Sequence, residues 1–299
     1  MPEQPAAGAP SCAPPDFKPR RPRFAFPANA CDCHAHVLGP AARYPYSSAR
    51  VYTPADCVLR DYRHMLDTLG VERAVLVQPS AYGTDNAAML DAIRSDPKRL
   101  RGVAVVHEAI SDHELKRLDE AGVRGVRVNI VDVKERKPGT LPIAELTRLA
   151  RRIQPLGWHM EFLMHVDEFP DMDRTFADFP VEIVLGHLGY MRTDKGIDAP
   201  GFQALLRSVK AGKCWVKLTG PMRISTAAPP YPDVVPYAHA LTQANPERIV
   251  WGTDWPHVII KGAMPNDGDL ADLVPEWIPD AALREQILVK NPTRLYRFP

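Results

Sequence analysis

Eight short, mostly apolar runs, each but the last followed by a longer polar or amphipathic segment, recur through this chain, and that rhythm leaves few folds open. The runs cover 30–37, 74–80, 101–106, 124–130, 159–165, 181–187, 214–220 and 248–254. Strands separated by helix-length crossovers pair in parallel, because the crossover returns the chain to the same end of the sheet. Eight such units predict an α/β fold, the (β/α)8 barrel, and 299 residues is an ordinary length for that barrel as one domain. An open, doubly wound sheet is the competing architecture, but the turn after the first run lacks the glycine-rich dinucleotide fingerprint.

The intervening segments mark their own boundaries. From Asp56 to Leu69, Val58, Leu59, Tyr62, Met65, Leu66 and Leu69 recur at near-helical spacing. Ser111-Asp112-His113-Glu114 opens another helix with a Ser-x-x-Glu capping box. Pro142 to Leu156 has proline in its first turn and stops at Gly157, the usual asymmetry of helix ends. Residues 1–29 differ in kind: eight prolines and the cluster Lys18, Arg20, Arg21 and Arg23 oppose both helix and central strand. They read as an extended arm, either disordered or laid as a strap across a barrel spanning 30–299.

The chemistry-bearing residues fall where the runs end. His34 and His36, two apart on a strand, share a face and converge on one point. In a barrel of this type reacting groups sit at the C-terminal ends of the strands and on the loops that follow. That places His34 and His36 after the first run, Ser80 after the second, Arg127 on the fourth, His165 on the fifth and His187 on the sixth. Arg223 follows the seventh and Asp254 closes the eighth. His64, His107, His113, His159 and His239 stand alone in sequence and read as surface or core residues.

Bulk composition narrows the class of partner. With 37 basic and 36 acidic residues the net charge is +1, which favours neither nucleic acid nor membrane and leaves a small molecule as ligand. No apolar run approaches the roughly 18 residues needed to cross a bilayer, and no secretory signal is evident, so a cytoplasmic location is expected. Five cysteines, at 12, 31, 33, 57 and 214, show no CxxC spacing and read as packing thiols rather than a disulfide framework or a ligand set.

Longer motifs surround these residues: Gln78-x-Ser80, Gly83-Thr84-Asp85-Asn86-Ala87-Ala88, Gly125-x-Arg127, His187-x-Gly189, Trp251-Gly252-Thr253-Asp254-Trp255-Pro256-His257 and Asn291-Pro292-Thr293-Arg294-Leu295-Tyr296. From about residue 24 onward the pattern resembles the amidohydrolase superfamily, in the branch of 2-pyrone-4,6-dicarboxylate lactonase and sugar-lactone hydrolases. The resemblance implies a distorted (β/α)8 barrel in which Asp254 activates water against an ester carbonyl. It further implies that His34, His36 and His187 polarise that carbonyl, and that Ser80, Tyr52, Arg127, Arg223 and His257 surround the substrate, with Tyr82 at a neighbouring contact position. Three departures touch substrate contacts. Val133 stands where the dicarboxylate lactonase carries an extra arginine, with Lys134 and Arg136 nearby; Tyr82 replaces a histidine, and Ile259 an asparagine.

The residues make chemical sense independently of the resemblance. A carboxylate near 3 Å from a water serves as its base, donors aimed at the developing oxyanion lower the barrel's transition state for ester cleavage, and an arginine fork matches a substrate carboxylate. Hydrolysis of a small carboxylated lactone is the function expected. Cofactor use stays open between none, which the resemblance implies, and one divalent metal such as zinc held by His34, His36, His165 and Asp254. A zinc-dependent decarboxylase and a non-catalytic small-molecule binding protein are the alternatives; oligomeric state has no signature in the sequence.

Overall fold

The computed structural model describes residues 9–131, 137–260 and 262–299. Val133, Lys134 and Arg136 lie outside the described residues. Eight strands form one parallel sheet in sequential order: β1 Cys31–Ala35, β2 Arg73–Val77, β3 Leu100–Ala104, β4 Val123–Asn129, β5 His159–Leu163, β6 Ile183–Leu185, β7 Cys214–Leu218 and β8 Ile249–Trp251. Helices fill the gaps between most of them, among them Leu59–Leu69, Asp112–Glu120, Ile143–Ile153 and Pro200–Lys210. The (β/α)8 architecture expected from the alternating runs is the one observed. The strands stop earlier than the apolar runs, because the chain leaves the sheet to build the loops that carry the polar residues.

Closure between β8 and β1 happens just beyond β8. Asp254 N donates to His34 O at 2.8 Å and His36 N to Trp255 O at 2.8 Å. Gly252 permits this approach: a Cβ there would stand 2.7 Å from His34 N. Asp32 ties the same seam, accepting from Thr253 N (2.9 Å), Thr253 Oγ1 (2.6 Å), His34 N (3.0 Å) and Tyr62 OH (2.8 Å). The register of β1 shifts between Asp32 and Ala35. Such an irregularity breaks strict alternation, and Cys31 and Cys33 pack in the core with Val75, Val77, Val103, Val184, Trp215 and Val250, together with Leu295, Tyr296 and Phe298. Asn291 holds this C-terminal segment in place by donating to Ile249 O (2.6 Å) and Pro246 O (2.7 Å).

The local helix signals have physical counterparts. Ser111 accepts from Glu114 N, and the helix ending in the turn 154–156 stops at Gly157, whose φ of 65° is left-handed. The first helix begins at Leu59, three residues after Asp56. From residue 9 the proline-rich arm is a strap. Cys12 N donates to Thr53 O (2.8 Å), Arg20 Nε to Asp269 (2.9 Å) and Arg23 Nε to Asp272 (2.9 Å), and Phe26 lies 5.0 Å from Trp251 ring to ring.

Asp272, only 4% exposed, receives both Arg20 and Arg23. Charge-assisted bonds of this kind contribute about 1.5 kcal/mol or more, so Asp272→Asn is expected to raise the detached population of the arm about tenfold. Cleavage by trypsin after Arg20 or Arg23 should accelerate by that factor; an unchanged cleavage rate would show that the strap is held elsewhere. Among the described residues no helix is long and apolar enough to cross a membrane.

Candidate active site

The strand ends surround a cavity of about 470 Å³ whose lining includes His36, Tyr52, Ser80, Arg127, His187, Arg223 and Asp254. Backbone conformation at its edge is forced: His187, Tyr190 and Asp254 have φ of 50°, 53° and 71°. Non-glycine residues occupy that region only when their surroundings demand it, and such strain concentrates at functional sites. Gly220, with φ of 59°, passes beneath the cluster where a Cβ would stand 2.7 Å from His187 Nδ1 and 3.1 Å from Asp254 Oδ2.

Asp254 is the centre. Its Oδ2 accepts from Arg223 Nε at 2.6 Å, and Arg223 Nη2 reaches Val258 O at 3.1 Å. Its Oδ1 is buried, has no hydrogen-bond partner, and faces His34 Nε2 at 3.8 Å and His187 Nε2 at 3.9 Å. Burial pushes the Asp254 carboxyl up, but the Arg223 guanidinium outweighs it and holds the group below its ordinary range. Asp254 is therefore a carboxylate at neutral pH with one oxygen committed and one directed at the imidazoles.

The three imidazoles are neutral there. Burial drives His34 and His187 well down, and takes His36 down to about 3 with the Arg127 charge adding to the effect. His36 Nδ1 lies 2.7 Å from Val77 O. A carbonyl only accepts, so Nδ1 carries the proton and Nε2 presents a lone pair. His36 in this form presents an acceptor, not a donor, to the cavity it lines. Arg127 is buried and spends one N–H on Gln78 O at 2.8 Å.

The matching family model, amidohydrolase, covers residues 31–298. The chain is 40% identical over 287 residues to the 2-pyrone-4,6-dicarboxylate hydrolase of Comamonas testosteroni, covering 93% of each. It is 38% identical over 292 residues to the 4-sulfomuconolactone hydrolase of Rhizobium radiobacter, covering 97% of each. The chain belongs to the amidohydrolase family. Among solved structures, a probable 2-pyrone-4,6-dicarboxylic acid hydrolase from Acinetobacter baumannii, with citric acid bound, shares the fold at a TM-score of 0.78 and 28% identity. The match covers 90% of this chain and 100% of that one.

Metal-assisted chemistry is a natural question for an amidohydrolase. His34, His187 and Asp254 offer ligand atoms within 4.8 Å of one another, a three-ligand set in number. The rest of the donor set disagrees. Lys217 Nζ lies 3.4 Å from His34 Nδ1 and Arg223 is on Asp254, so two of the three groups already face cations. These residues do not fit a divalent cation. The set expected to hold zinc is also dispersed: His165 Nδ1 contacts Tyr190 O at 3.2 Å, while Leu163 stands at the end of β5 in the cavity wall.

Two further expectations are relocated. His257 is fully buried beside Asp267, Nε2 to Oδ1 3.1 Å, and is absent from the cavity wall. The turn that follows Asp254 gives His257 a φ of 59° and carries its ring into the interior. Tyr82 is also buried away from the cavity; its hydroxyl accepts from Gly39 N at 2.7 Å and its ring lies 5.0 Å from Tyr46. The cavity wall instead includes Tyr190, Met222, Val258, Ile259 and Ile260. Sequence reasoning also missed Glu161 and Lys217, paired at 2.6 Å inside the barrel. A signal for them existed, since each is a lone charge within an otherwise apolar or aromatic strand, His159–Leu163 and Cys214–Leu218.

Proposed function

We propose that this amidohydrolase opens a small anionic lactone by adding water, with Asp254 as the base. One observation carries the reading: a buried carboxylate oxygen without a hydrogen-bond partner, facing two imidazole nitrogens at the edge of a cavity that also contains an arginine. A water held by Asp254 Oδ1 loses a proton to it as its oxygen bonds to the lactone carbonyl carbon. His34 and His187 donate to the carbonyl oxygen as it becomes negative. Collapse breaks the ring C–O bond, and the proton on Asp254 passes to the departing oxygen, giving the ring-opened acid. His36 Nε2 accepts a hydrogen bond from water or substrate.

Arg127, with Ser80 and Tyr52, holds a substrate carboxylate; its fork suits that geometry. The relatives named for pyrone dicarboxylate and sulfomuconolactone, and the neighbour with citrate, support an anionic substrate. No metal enters the scheme. The five free cysteines favour a reducing compartment, which supports a cytoplasmic place of work.

The test is turnover of 2-pyrone-4,6-dicarboxylate, 4-sulfomuconolactone and a panel of mono- and dicarboxylated lactones, followed by ultraviolet absorbance and acid release, with and without prior chelation. Opening of at least one anionic lactone at a rate unaffected by chelation is expected. Loss on chelation with recovery on zinc overturns the metal-free scheme. Thermal stabilisation by lactones that remain intact overturns catalysis in favour of binding.

A further inference from the structure

Beneath the His34, His187 and Asp254 cluster the barrel interior holds an ion pair outside the scheme above. Lys217 Nζ is 0% exposed in its side chain, and Glu161 is 2% exposed. An ammonium has three N–H donors and no acceptor; buried, each of them needs a partner. Two go to Glu161 Oε2 at 2.6 Å and Cys33 O at 2.7 Å. The third meets His34 Nδ1 at 3.4 Å. Tyr296 covers the ammonium from below, its ring centroid 5.8 Å away. Glu161 Oε1 lies 3.3 Å from the same Nδ1, as an ion-pair contact.

These contacts decide which nitrogen of His34 carries its proton. A proton on Nδ1 would have Glu161 Oε1 at 3.3 Å as its acceptor, but it would take the lone pair from Lys217 and leave a buried ammonium with one donor unused. With Nδ1 unprotonated, all three Lys217 donors are satisfied and the imidazole proton sits on Nε2, the atom that faces Asp254 Oδ1. The arrangement is opposite to that of His36, whose Nδ1–H is taken by Val77 O. Two histidines separated by one residue are thereby given opposite roles: His34 offers a donor towards Asp254 Oδ1, and His36 an acceptor to the cavity it lines.

We infer that Lys217, held by Glu161, is a positioning residue that locks His34 in the Nε2–H form and so makes it a hydrogen-bond donor to the oxyanion. The inference rests on the proposed lactone hydrolysis for the use made of the donor, but the tautomer itself is independent of any substrate. A buried lysine and glutamate inside the barrel thus act on the reaction without touching the reacting atoms.

The deciding measurement is long-range 1H–15N correlation NMR on the full chain labelled with 15N-histidine, with the His34 signals identified by their loss in His34→Gln. Protonated Nε2 and unprotonated Nδ1 are expected; the reverse pattern overturns the inference. Because this is read on the wild-type protein without substrate, failure to open any lactone would overturn the proposed function and leave the tautomer result intact. A second arm uses Lys217→Met. There Glu161 Oε1 becomes the acceptor for a proton on Nδ1, so the tautomer should flip, and kcat should fall about 100-fold with KM within about threefold, the loss expected of one oxyanion donor. A folded Lys217→Met that keeps the Nε2–H form and wild-type kcat overturns the role; if that variant fails to fold, the wild-type spectrum decides.

Discussion

Asp254→Asn is expected to lower kcat by about 10²–10⁴-fold while the barrel stays folded. The substitution is nearly isosteric, and the amide oxygen can still accept the Arg223 Nε hydrogen bond that Oδ2 accepts at 2.6 Å. That orientation turns the amide NH2 toward the place of Oδ1, which faces His34 and His187 at 3.8 and 3.9 Å. The base is lost at that point, and an N–H group stands where a lone pair is needed. KM should change far less than kcat, since Arg127 and the rest of the cavity are untouched. Circular dichroism and thermal unfolding check the fold, and steady-state kinetics on a lactone that the wild type opens check the chemistry. Turnover within about threefold of wild type would remove Asp254 from the mechanism.

The second large effect is on stability and its pH dependence. Arg223→Met removes the guanidinium that offsets the burial of Asp254, leaving a carboxylate that is 1% exposed without its cation. Breaking one half of such a pair costs about 3–5 kcal/mol. The sign of the pH effect follows from the folded-state shift. In the wild type the Asp254 carboxyl lies below its ordinary 3.8, so its contribution to stability is present above that pH and is lost as pH falls through the folded value. In Arg223→Met burial dominates and the carboxyl moves above its ordinary range. The variant's folded state then favours the protonated form, and its stability falls as pH rises through the window that opens above 3.8.

Urea unfolding at pH 5 and pH 7.5 separates the two cases. The gap between variant and wild type should be several kcal/mol at the higher pH and smaller at the lower. A gap under about 1 kcal/mol at both would mean that Arg223 and Asp254 are not coupled in the folded protein.

Much of the architecture was legible in the order of residues along the chain. Alternating apolar runs and helical patterns report the local backbone, and local backbone is what periodicity encodes; hence the eight strands, the Ser111 cap and the Gly157 stop. Residues at strand ends were also legible as a group, because the barrel sends every strand's C-terminal end to one face. That rule brings His36, Ser80, Arg127, His187, Arg223 and Asp254 to one cavity from far-apart segments.

The tertiary structure alone decided the direction of individual rings and the identity of their partners. His257 follows Asp254 by three residues, yet its left-handed backbone turns it inward to Asp267. The arm could be read as disordered or as a strap until Asp269 and Asp272, some 250 residues away, were found holding Arg20 and Arg23. A two-residue spacing predicts that His34 and His36 share a face, but it cannot assign their protons. Those follow from Val77 O and Lys217 Nζ, which come from β2 and β7, and hydrogen bonds between distant strands exist only once the barrel has closed. Sequence by itself determined which elements form and which end of the barrel is chemical. Packing determined which atom of each side chain faces the cavity, because that choice depends on partners the chain order does not place beside it.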